Sequence, residues 1–376
     1  MRICIVARRF SATWGGAERV AVNLARRLHD AGHQVQIITA ASDVDIEGMN
    51  IRTIRVNTLL SPWKILSFQR QVKRILRNEH YDLVYGLCHV YPLDIYRLSD
   101  GIHRHWMKVR YPNPVLRWTK YLTSLINPTM TWIEGRMFKE RNCSFFITNS
   151  QLIKNQVVEY FHVPEKRIQV VYNGVDHALF NPGVKAFRNA QREQYGIGDE
   201  RVLFFAGNNW ERKGLSAIID AMPDTGIKNM KLVIAGRGKK DRYVSLARER
   251  GISPDAMIFA GQIKDIEKYY GMSDIFVLPT KYEPFANVCL EAMACGIPVI
   301  TTKTNGAAEL ITPGENGFIL GDWRDSRRLA EIILLLNDEN ILKRIGDNAA
   351  RTAGNYTWER HVEETNRIFE LLGSQK

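Results

Sequence analysis

Short apolar runs separated by polar and turn residues recur along the chain. They fall at 3–7, 35–39, 82–85, 145–148 and 168–172 in the first half, and at 202–206, 232–235, 258–260, 275–278 and 299–301 in the second. Amphipathic stretches such as 17–30 lie between them. Strands that alternate with helices are typical of parallel sheets covered by helices on both faces. The pattern therefore predicts an α/β fold with two Rossmann-like domains.

The boundary between the two domains is predicted where turn residues follow the strand at 168–172. Asn173-Gly174 and Gly183 mark this segment. The expected domains are residues 1–172 and 173–356, and a last helix is expected over 357–372.

Composition limits the class of protein. A chain of 376 residues, 45% hydrophobic, is too long for one typical core and suits two ordered domains. No apolar run reaches the ~18 residues that span a membrane, and the N-terminus reads as a strand rather than a signal peptide. We therefore expect a cytoplasmic protein.

The five cysteines are scattered without a Cys-x-x-Cys pair, which predicts reduced core residues rather than disulfides or a zinc site.

The net charge of +12 is concentrated in the first half of the chain. Residues 1–180 contain 25 Lys plus Arg against 14 Asp plus Glu, whereas the remainder contains 27 against 26. A basic half indicates an anionic partner, such as a phosphorylated glycolipid or an acidic membrane, and less readily a nucleic acid.

The motif Glu283-Pro284-Phe285-Ala286-Asn287-Val288-Cys289-Leu290-Glu291 places seven residues between two glutamates. Pro284 and the later Gly296 predict a helix over 284–295. On such a helix the two Cα atoms would lie roughly 12 Å apart on one side. Glycosidase carboxyl groups need only ~5 to 9.5 Å, so the spacing better fits two ends of one elongated ligand with a phosphate at the helix start. A nucleotide-sugar has that layout, with sugar hydroxyls at Glu283 and ribose at Glu291.

Four motifs together resemble retaining glycosyltransferase family 4 over almost the whole chain. They are Gly15-Gly16-Ala17-Glu18-Arg19, Val171-Tyr172-Asn173-Gly174-Val175-Asp176, Ala206-Gly207-Asn208-Asn209-Trp210-Glu211-Arg212-Lys213-Gly214 and the acidic motif. Within that family, segments 86–100 and 207–214 are similar to the lipopolysaccharide core glucosyltransferases that add the first glucose to heptose. The resemblance implies a GT-B fold with two facing domains, an acceptor-binding N-terminal domain, a donor-binding C-terminal domain, and a C-terminal helix (357–376) that returns to the first domain.

The resemblance also implies donor-binding residues. Gly15 and Gly16 would let backbone amides approach the diphosphate, and Arg212 and Lys213 would neutralise it as it leaves. Glu283 and Glu291 would bind sugar and ribose. The remaining donor-binding candidates are the backbone N–H groups of Phe285, Ala286 and Asn287 and, near the base, Arg237, Gln262 and Ile263. A surface turn is nearly as good an interpretation of Arg237.

No metal and no cofactor is expected. Asp43-Val44-Asp45 spells the metal-binding pattern of the other major glycosyltransferase fold, but it lies in a polar loop without neighbouring ligands, so we interpret it as a solvated loop. Gly236-Arg237-Gly238 lacks the third glycine of the dinucleotide fingerprint, because Asp241 occupies that place, and this disfavours a dehydrogenase.

Two residues compete for the acceptor-side catalytic role. Asp100 matches an aspartate of the core glucosyltransferases, whereas many other family members carry a histidine hereabouts, which makes His103 the rival. The sequence leaves this choice open.

The segment 102–133 contains no acidic residue. Cations interleaved with Trp and Tyr fit a membrane interface, although a nucleic-acid stacking surface and ordinary core aromatics are the alternatives. The residues expected to contact a membrane are Arg104, Trp106, Lys108, Arg110, Arg117, Trp118 and Lys120.

The expected activity is retaining, metal-independent transfer of a hexose from UDP-glucose to a lipid-anchored anionic saccharide. By resemblance the acceptor is the lipopolysaccharide inner core, reached from the inner face of the cytoplasmic membrane, with no nucleic-acid partner. The rivals are an inactive saccharide- or membrane-binding relative and a transferase with another glycolipid or a soluble acceptor. Glucose, galactose and N-acetylglucosamine, the acceptor hydroxyl and the oligomeric state are not distinguished by sequence.

Overall fold

The computed structural model describes residues 1–11, 16–57 and 61–373, with the backbone alone for residues 16–20. The described chain divides into two compact units. Unit 1 comprises Met1–Asn173 and Trp358–Lys376, and unit 2 comprises Gly174–Thr357. Each boundary lies one residue from the position expected from the sequence.

Unit 1 contains a parallel sheet of seven strands among its described residues, in the order β3-β2-β1-β4-β5-β6-β7. The strands are β1 Arg2–Val6, β2 Gln34–Thr39, β3 Asn50–Thr53, β4 Leu83–Gly86, β5 Leu93–Leu98, β6 Cys143–Thr148 and β7 Ile168–Val170. The helices are α1 Gly16–Asp30, α2 Ser61–Asn78, α3 His103–Arg110, α4 Pro114–Leu122, α5 Ile126–Met137 and α6 Gln151–Phe161.

Unit 2 contains a second parallel sheet, in the order β10-β9-β8-β11-β12-β13. Its strands are β8 Arg201–Ala206, β9 Met230–Ala235, β10 Met257–Gly261, β11 Ile275–Leu278, β12 Val299–Thr302 and β13 Gly317–Leu320. Its helices are α7 Arg188–Gln194, α8 Leu215–Ala221, α9 Lys240–Glu249, α10 Ile266–Met272, α11 Asn287–Ala294, α12 Ser326–Leu335 and α13 Glu339–Ala353, and α14 Trp358–Gly373 follows in unit 1.

The predicted fold class is confirmed, but the sequence pattern missed three strands. β3 is a mostly exposed edge strand without an apolar run, and β13 is an edge strand that begins at a glycine, Gly317. β5 contains Asp94 and Arg97, yet Arg97 is buried because its guanidinium donates to Asn173 Oδ1 at 2.5 Å and lies 2.7 Å from His361 Nε2. Hydrogen bonds to distant residues allow these polar side chains in an interior strand.

The last helix returns to the N-terminal unit, as expected. Val362, Ile368 and Phe369 of α14 belong to the same buried core as Ile3 and Leu24. Phe369 also contacts the Tyr85 ring edge-on at 5.2 Å between ring centroids. Burial of this apolar face holds the end of the chain in unit 1.

Both sheets have a topological switch point. In unit 1, β1 lies between β2 and β4, and in unit 2, β8 lies between β9 and β11. In each sheet the chain first adds strands on one side of this central strand and then crosses over to add strands on its other side. Open α/β sheets bind ligands outside the carboxyl ends of the strands at such points. The topology therefore predicts one ligand-binding site at the carboxyl edge of each sheet.

Candidate active site

The first cluster lies at the switch point of unit 2. Arg212 and Lys213 follow β8, and Glu283 follows β11. Lys213 Nζ lies 2.6 Å and Arg212 Nη1 3.0 Å from Glu283 Oε2. Burial opposes ionisation of Glu283, but the charges of Lys213 and Arg212 outweigh it and lower the pKa of the carboxyl group. Glu283 is therefore ionised at neutral pH and lies beside two basic side chains.

Backbone geometry brings the loops of this cluster together. Gly214 has φ of 80°, and a Cβ added there would lie 1.9 Å from the Pro279 carbonyl oxygen. Only glycine fits this position without displacing the backbone. The Arg212 carbonyl accepts hydrogen bonds from Lys281 N at 2.8 Å and Thr280 Oγ1 at 3.1 Å. The loop after β8 is thus fastened directly to the loop after β11.

The helix of the acidic motif begins later than predicted. α11 starts at Asn287 rather than at 284. Glu283 lies in extended backbone, where its N–H donates to Thr304 and its carbonyl accepts from Gly306, each at 3.0 Å. This pairing holds Glu283 outside the helix, so a spacing computed along one helix does not apply to the two glutamates.

Asn305 completes the loop before α11 and was not predicted. Its side chain is buried, and its Oδ1 accepts from Ala286 N and Ala307 N, each at 3.1 Å. The Ala286 N–H, which the sequence assigned to the ligand, is therefore donated within the protein. Phe285 is buried and Asn287 is half-buried at the helix start. The residues Thr304-Asn305-Gly306 are typical of a turn, but the sequence does not show that Asn305 accepts a hydrogen bond from Ala286 across the loop.

Glu291 is oriented by a second residue that sequence reasoning missed. Tyr270, fully buried, donates its hydroxyl toward Glu291 Oε2 at 3.0 Å and lies 3.0 Å from the Val288 carbonyl. Burial raises the pKa of the Tyr270 hydroxyl well above its usual value, so this group remains a hydrogen-bond donor. No local signal in the sequence links Tyr270 to the helix that follows.

Arg237 and Gln262 meet at the same edge of the sheet. Arg237 Nη2 donates to Gln262 Oε1 at 2.6 Å, and Arg237 N donates to Asn208 Oδ1 at 2.9 Å. Gly238 is needed because an added Cβ would lie 2.1 Å from the Trp210 ring. These loops follow β8, β9 and β10, while Ile263 lies half-buried one residue further on.

The first glycine-rich loop is only partly described. Gly15 lies outside the described residues, and Gly16 is the first residue of α1. Their expected contact with a diphosphate remains a prediction.

Asp100 lies at the switch point of unit 1. It follows β5 and lines a cavity of about 440 Å³. The other lining residues are Ala7, Arg8, Arg9, Ser61, Lys64, Ile65, Leu87, Cys88 and Ile126.

His103 occupies a different environment, at the first position of α3. Ile102 provides no side-chain cap for this helix, and instead Glu134 Oε1 of α5 accepts the His103 N–H at 2.5 Å. Glu134 is buried and lies 3.7 Å from His89 Nε2. Burial lowers the pKa of the His103 imidazole, which favours its neutral form. Glu134, the first acidic residue after the acid-free segment, was not among the predicted residues.

The described residues contain no group of three or more His, Cys, Asp or Glu that could hold a metal ion. Asp43 Oδ2 accepts a hydrogen bond from Ser11 Oγ at 2.7 Å, and Asp43 and Asp45 are both exposed. The loop is exposed to solvent, as predicted, and one hydrogen bond to Ser11 ties Asp43 to a neighbouring loop.

An apolar surface is exposed on the acid-free segment. No residue of α4 is buried, and Asn113 caps the helix through hydrogen bonds to Val115 N and Leu116 N. We call the exposed side chains of Val115, Leu116, Trp118, Leu122 and Leu125 the α4 surface; they are 45–71% exposed. A core role is thus wrong for Trp118.

The predicted cations lie on α4 and on the neighbouring α3. Arg110, Arg104, Lys108 and Lys120 are exposed, whereas Arg117 and Trp106 are half-buried. Lys108 Nζ lies 4.5 Å from the centre of the Tyr160 ring, and Arg104 contacts the Phe161 ring. Among the described helices, none is both long and apolar enough to cross a membrane.

Comparison with known proteins assigns both halves of the chain. Residues 14–179 match Glycosyltransferase Family 4, and residues 187–352 match Glycosyl transferases group 1. The chain consists of two glycosyltransferase domains. An uncharacterized glycosyltransferase of Methanocaldococcus jannaschii is 27% identical over 378 residues, which cover 95% of this chain and 94% of the relative.

Two solved structures share the fold of this glycosyltransferase. WaaG, a glycosyltransferase involved in lipopolysaccharide biosynthesis, has a TM-score of 0.82 at 20% identity and covers 98% of this chain and 99% of its own. Anabaena HepE in complex with UDP and glucose has a TM-score of 0.75 at 20% identity, with the same coverage. The GT-B class expected from the sequence is confirmed.

Proposed function

We propose that this glycosyltransferase moves glucose from UDP-glucose to a lipid-anchored saccharide with retention of anomeric configuration and without a metal ion. The observation that carries the proposal is the cluster of Lys213, Arg212 and Glu283 at the switch point of unit 2. It combines two cations with a carboxylate that is ionised and only 14% exposed.

Arg212 and Lys213 act on the diphosphate. Two positive charges, held in place by a loop fastened to β11, stabilise the negative charge that grows on the leaving group. They take the role that a divalent cation has in other transferases. Glu283, ionised beside them, accepts hydrogen bonds from hydroxyl groups of the sugar. Catalysis then rests on positioning and electrostatic stabilisation.

The nucleoside binds along the carboxyl edge of the same sheet. Glu291, oriented by Tyr270, accepts hydrogen bonds from the ribose hydroxyls. Arg237 and Gln262, hydrogen-bonded to each other, contact the base. Support for UDP comes from HepE, a protein of the same fold that has been observed in complex with UDP and glucose.

The acceptor binds unit 1, with Asp100 at its cavity, and the lipid anchor of the acceptor remains in the membrane. The α4 surface and the basic side chains around it contact anionic lipid at the cytoplasmic face. WaaG acts in lipopolysaccharide biosynthesis, which supports the lipopolysaccharide inner core as the acceptor. The acid-free sequence of 102–133 suits a negatively charged surface.

A donor panel tests this proposal. The protein is incubated with UDP-glucose, UDP-galactose, UDP-N-acetylglucosamine, ADP-glucose and GDP-glucose, with and without truncated lipopolysaccharide. We expect acceptor-dependent release of UDP from UDP-glucose and an α-linked product by NMR. Glu283→Gln should abolish turnover, whereas the matched control Glu315→Gln, in an exposed turn of unit 2, should not. An absence of nucleotide release with every donor would favour the inactive binding protein.

A further inference from the structure

The cavity beside Asp100 is lined by three cations, Arg8, Arg9 and Lys64, and by one carboxylate. Arg8 and Arg9 follow β1, and Lys64 lies in the first turn of α2. Arg8 and Lys64 are half-buried. Within the described ranges, neither forms an ion pair with a carboxylate. Partial burial of cations without a carboxylate in direct contact costs free energy that an anionic ligand recovers.

Apolar and acidic groups lie in the same cavity. Burial raises the pKa of the Cys88 thiol to about 12, and the charges of Arg8 and Asp100 act on this thiol in opposite directions. Both charged side chains line the cavity together with Cys88, which follows β4. Ile65 and Leu87 supply apolar contacts. Cations, one carboxylate and a small apolar wall together suit a ligand that has an anionic group, hydroxyls and a carbon ring.

We propose that this cavity binds a phosphorylated sugar of the acceptor, with Arg8 and Lys64 paired to the phosphate and Asp100 accepting a hydrogen bond from a hydroxyl of the same sugar. The inference rests on the proposed function only in identifying this sugar as part of the glycosyl acceptor.

Charge and size favour a phosphate monoester over other anions. Arg8 and Lys64 supply two positive charges, which match a phosphate monoester of about −1.5 to −2 better than a carboxylate of −1. The planar guanidinium of Arg8 can bind two phosphate oxygens. The cavity of about 440 Å³ lies in the lower part of the range of small-molecule sites, so it accommodates one sugar residue while the rest of the acceptor extends outside.

Isothermal titration with glucose 6-phosphate, glucose and glucuronate tests the proposal. Saturating UDP is present throughout, so that sugar phosphates cannot occupy the donor site. We expect the parent to bind glucose 6-phosphate and to bind glucose and glucuronate at least about tenfold more weakly. Arg8→Gln and Lys64→Gln should each weaken the binding of glucose 6-phosphate by about tenfold or more. The controls Arg77→Gln and Lys73→Gln, on α2 but away from the cavity, should bind it like the parent.

A second arm separates a sugar phosphate from a lipid headgroup. Turnover is compared on a phosphorylated acceptor anchored in neutral vesicles, on the same acceptor anchored in anionic vesicles, and on its delipidated, soluble form. The proposal requires Lys64→Gln to impair all three. Impairment only in the presence of anionic vesicles would mean that the cations bind headgroups and would overturn it.

Other results overturn the proposal equally clearly. Unchanged affinity for glucose 6-phosphate in both cavity variants excludes the phosphate site, and tighter binding of glucuronate excludes a phosphate as its preferred anion. If the parent binds glucose 6-phosphate but shows no UDP binding or donor turnover, the proposed function fails while the sugar-phosphate site stands.

Discussion

At the residue scale, the pair formed by Tyr270 and Glu291 makes a specific prediction about the nucleotide. Glu291→Ala should weaken UDP binding by about 10- to 150-fold, since it removes a charge-assisted hydrogen bond of about 1.5 to 3 kcal/mol. Tyr270→Phe should have a smaller effect in the same direction, because the carboxylate remains but loses the hydroxyl that orients it. Calorimetric titration with UDP measures both.

Tyr269→Phe is the matched control. Its hydroxyl lies 2.7 Å from the Tyr195 hydroxyl instead of a glutamate, so the variant should bind UDP like the parent. Glu283→Ala should also spare UDP affinity while it damages sugar recognition. Parental UDP affinity in Glu291→Ala would contradict the ribose assignment.

Lys213 makes a kinetic prediction. Lys213→Ala should lower kcat more than it raises the KM for the donor, because the charge on the departing diphosphate is greatest in the transition state. Steady-state kinetics measure both constants. The control Lys268→Ala removes a partly exposed lysine that pairs with Asp265 and should leave both unchanged.

EDTA gives an independent check of the metal-free mechanism. Activity should persist after chelation, since Arg212 and Lys213 supply the positive charge beside Glu283. Loss of activity with EDTA and recovery with Mn²⁺ would contradict this mechanism and return attention to Asp43 and Asp45.

At the element scale, α4 presents apolar side chains that the protein does not bury. Trp118→Ser together with Leu122→Ser should reduce vesicle binding at high salt, because ions do not screen the burial of apolar area. Co-sedimentation at 0.5 M NaCl measures this component. The control Leu334→Ser with Leu335→Ser removes similarly exposed leucines from α12 and should not change sedimentation.

We expect the cations of the same segment to contribute a separable, electrostatic part of vesicle binding. Each residue near an anionic surface adds ~1 kcal/mol, and salt weakens this contribution. Replacement of five cations with glutamine should abolish the preference for anionic over neutral vesicles while turnover on a soluble acceptor persists. The five are Arg104, Lys108, Arg110, Arg117 and Lys120. The control variant replaces five exposed cations of unit 2 with glutamine and should keep the preference for anionic vesicles. These cations are Arg324, Arg327, Arg328, Lys343 and Arg344. Equal pelleting of parent and first variant would contradict a membrane role.

At the scale of the whole molecule, one buried group joins the two places where the chain passes between units. Arg97 of β5 lies beside Asn173, the last residue before the chain leaves unit 1. It also lies beside His361, shortly after the chain returns to unit 1 at Trp358. His361 Nδ1 lies 2.7 Å from the Tyr172 carbonyl. The neutral tautomer that satisfies both contacts carries its proton on Nδ1 and accepts from Arg97 through Nε2.

This arrangement predicts a pH dependence of stability. Burial, and then the charge of Arg97, lower the pKa of His361 well below its usual value. The unfolded chain therefore takes up a proton near pH 6.5 that the folded chain does not, and the free energy of unfolding falls as the pH drops below about 6.5. Thermal denaturation between pH 7.5 and 5.5 should show a smaller fall in Tm for His361→Gln than for the parent. The control His80→Gln, at an exposed histidine, should follow the parent, and an unchanged slope in His361→Gln would contradict the assignment.

The sequence by itself determined the fold class and pointed to the residues of the proposed donor site. Apolar runs buried on both faces and separated by amphipathic helices leave few alternatives to parallel α/β domains. Glu283, Arg212 and Lys213 were recognised because each belongs to a short motif beside a strand end. These features depend on local order along the chain.

Only the tertiary structure decided which distant residues meet. Glu283 pairs with Lys213, Tyr270 orients Glu291, Asn305 holds the loop before α11, and Arg8 shares a cavity with Lys64. β5 was missed because the burial of Arg97 depends on Asn173 and His361, far away in sequence. Strand order sets these contacts. A local pattern does not encode strand order, since the same succession of strands and helices is compatible with several orders of strands in a sheet.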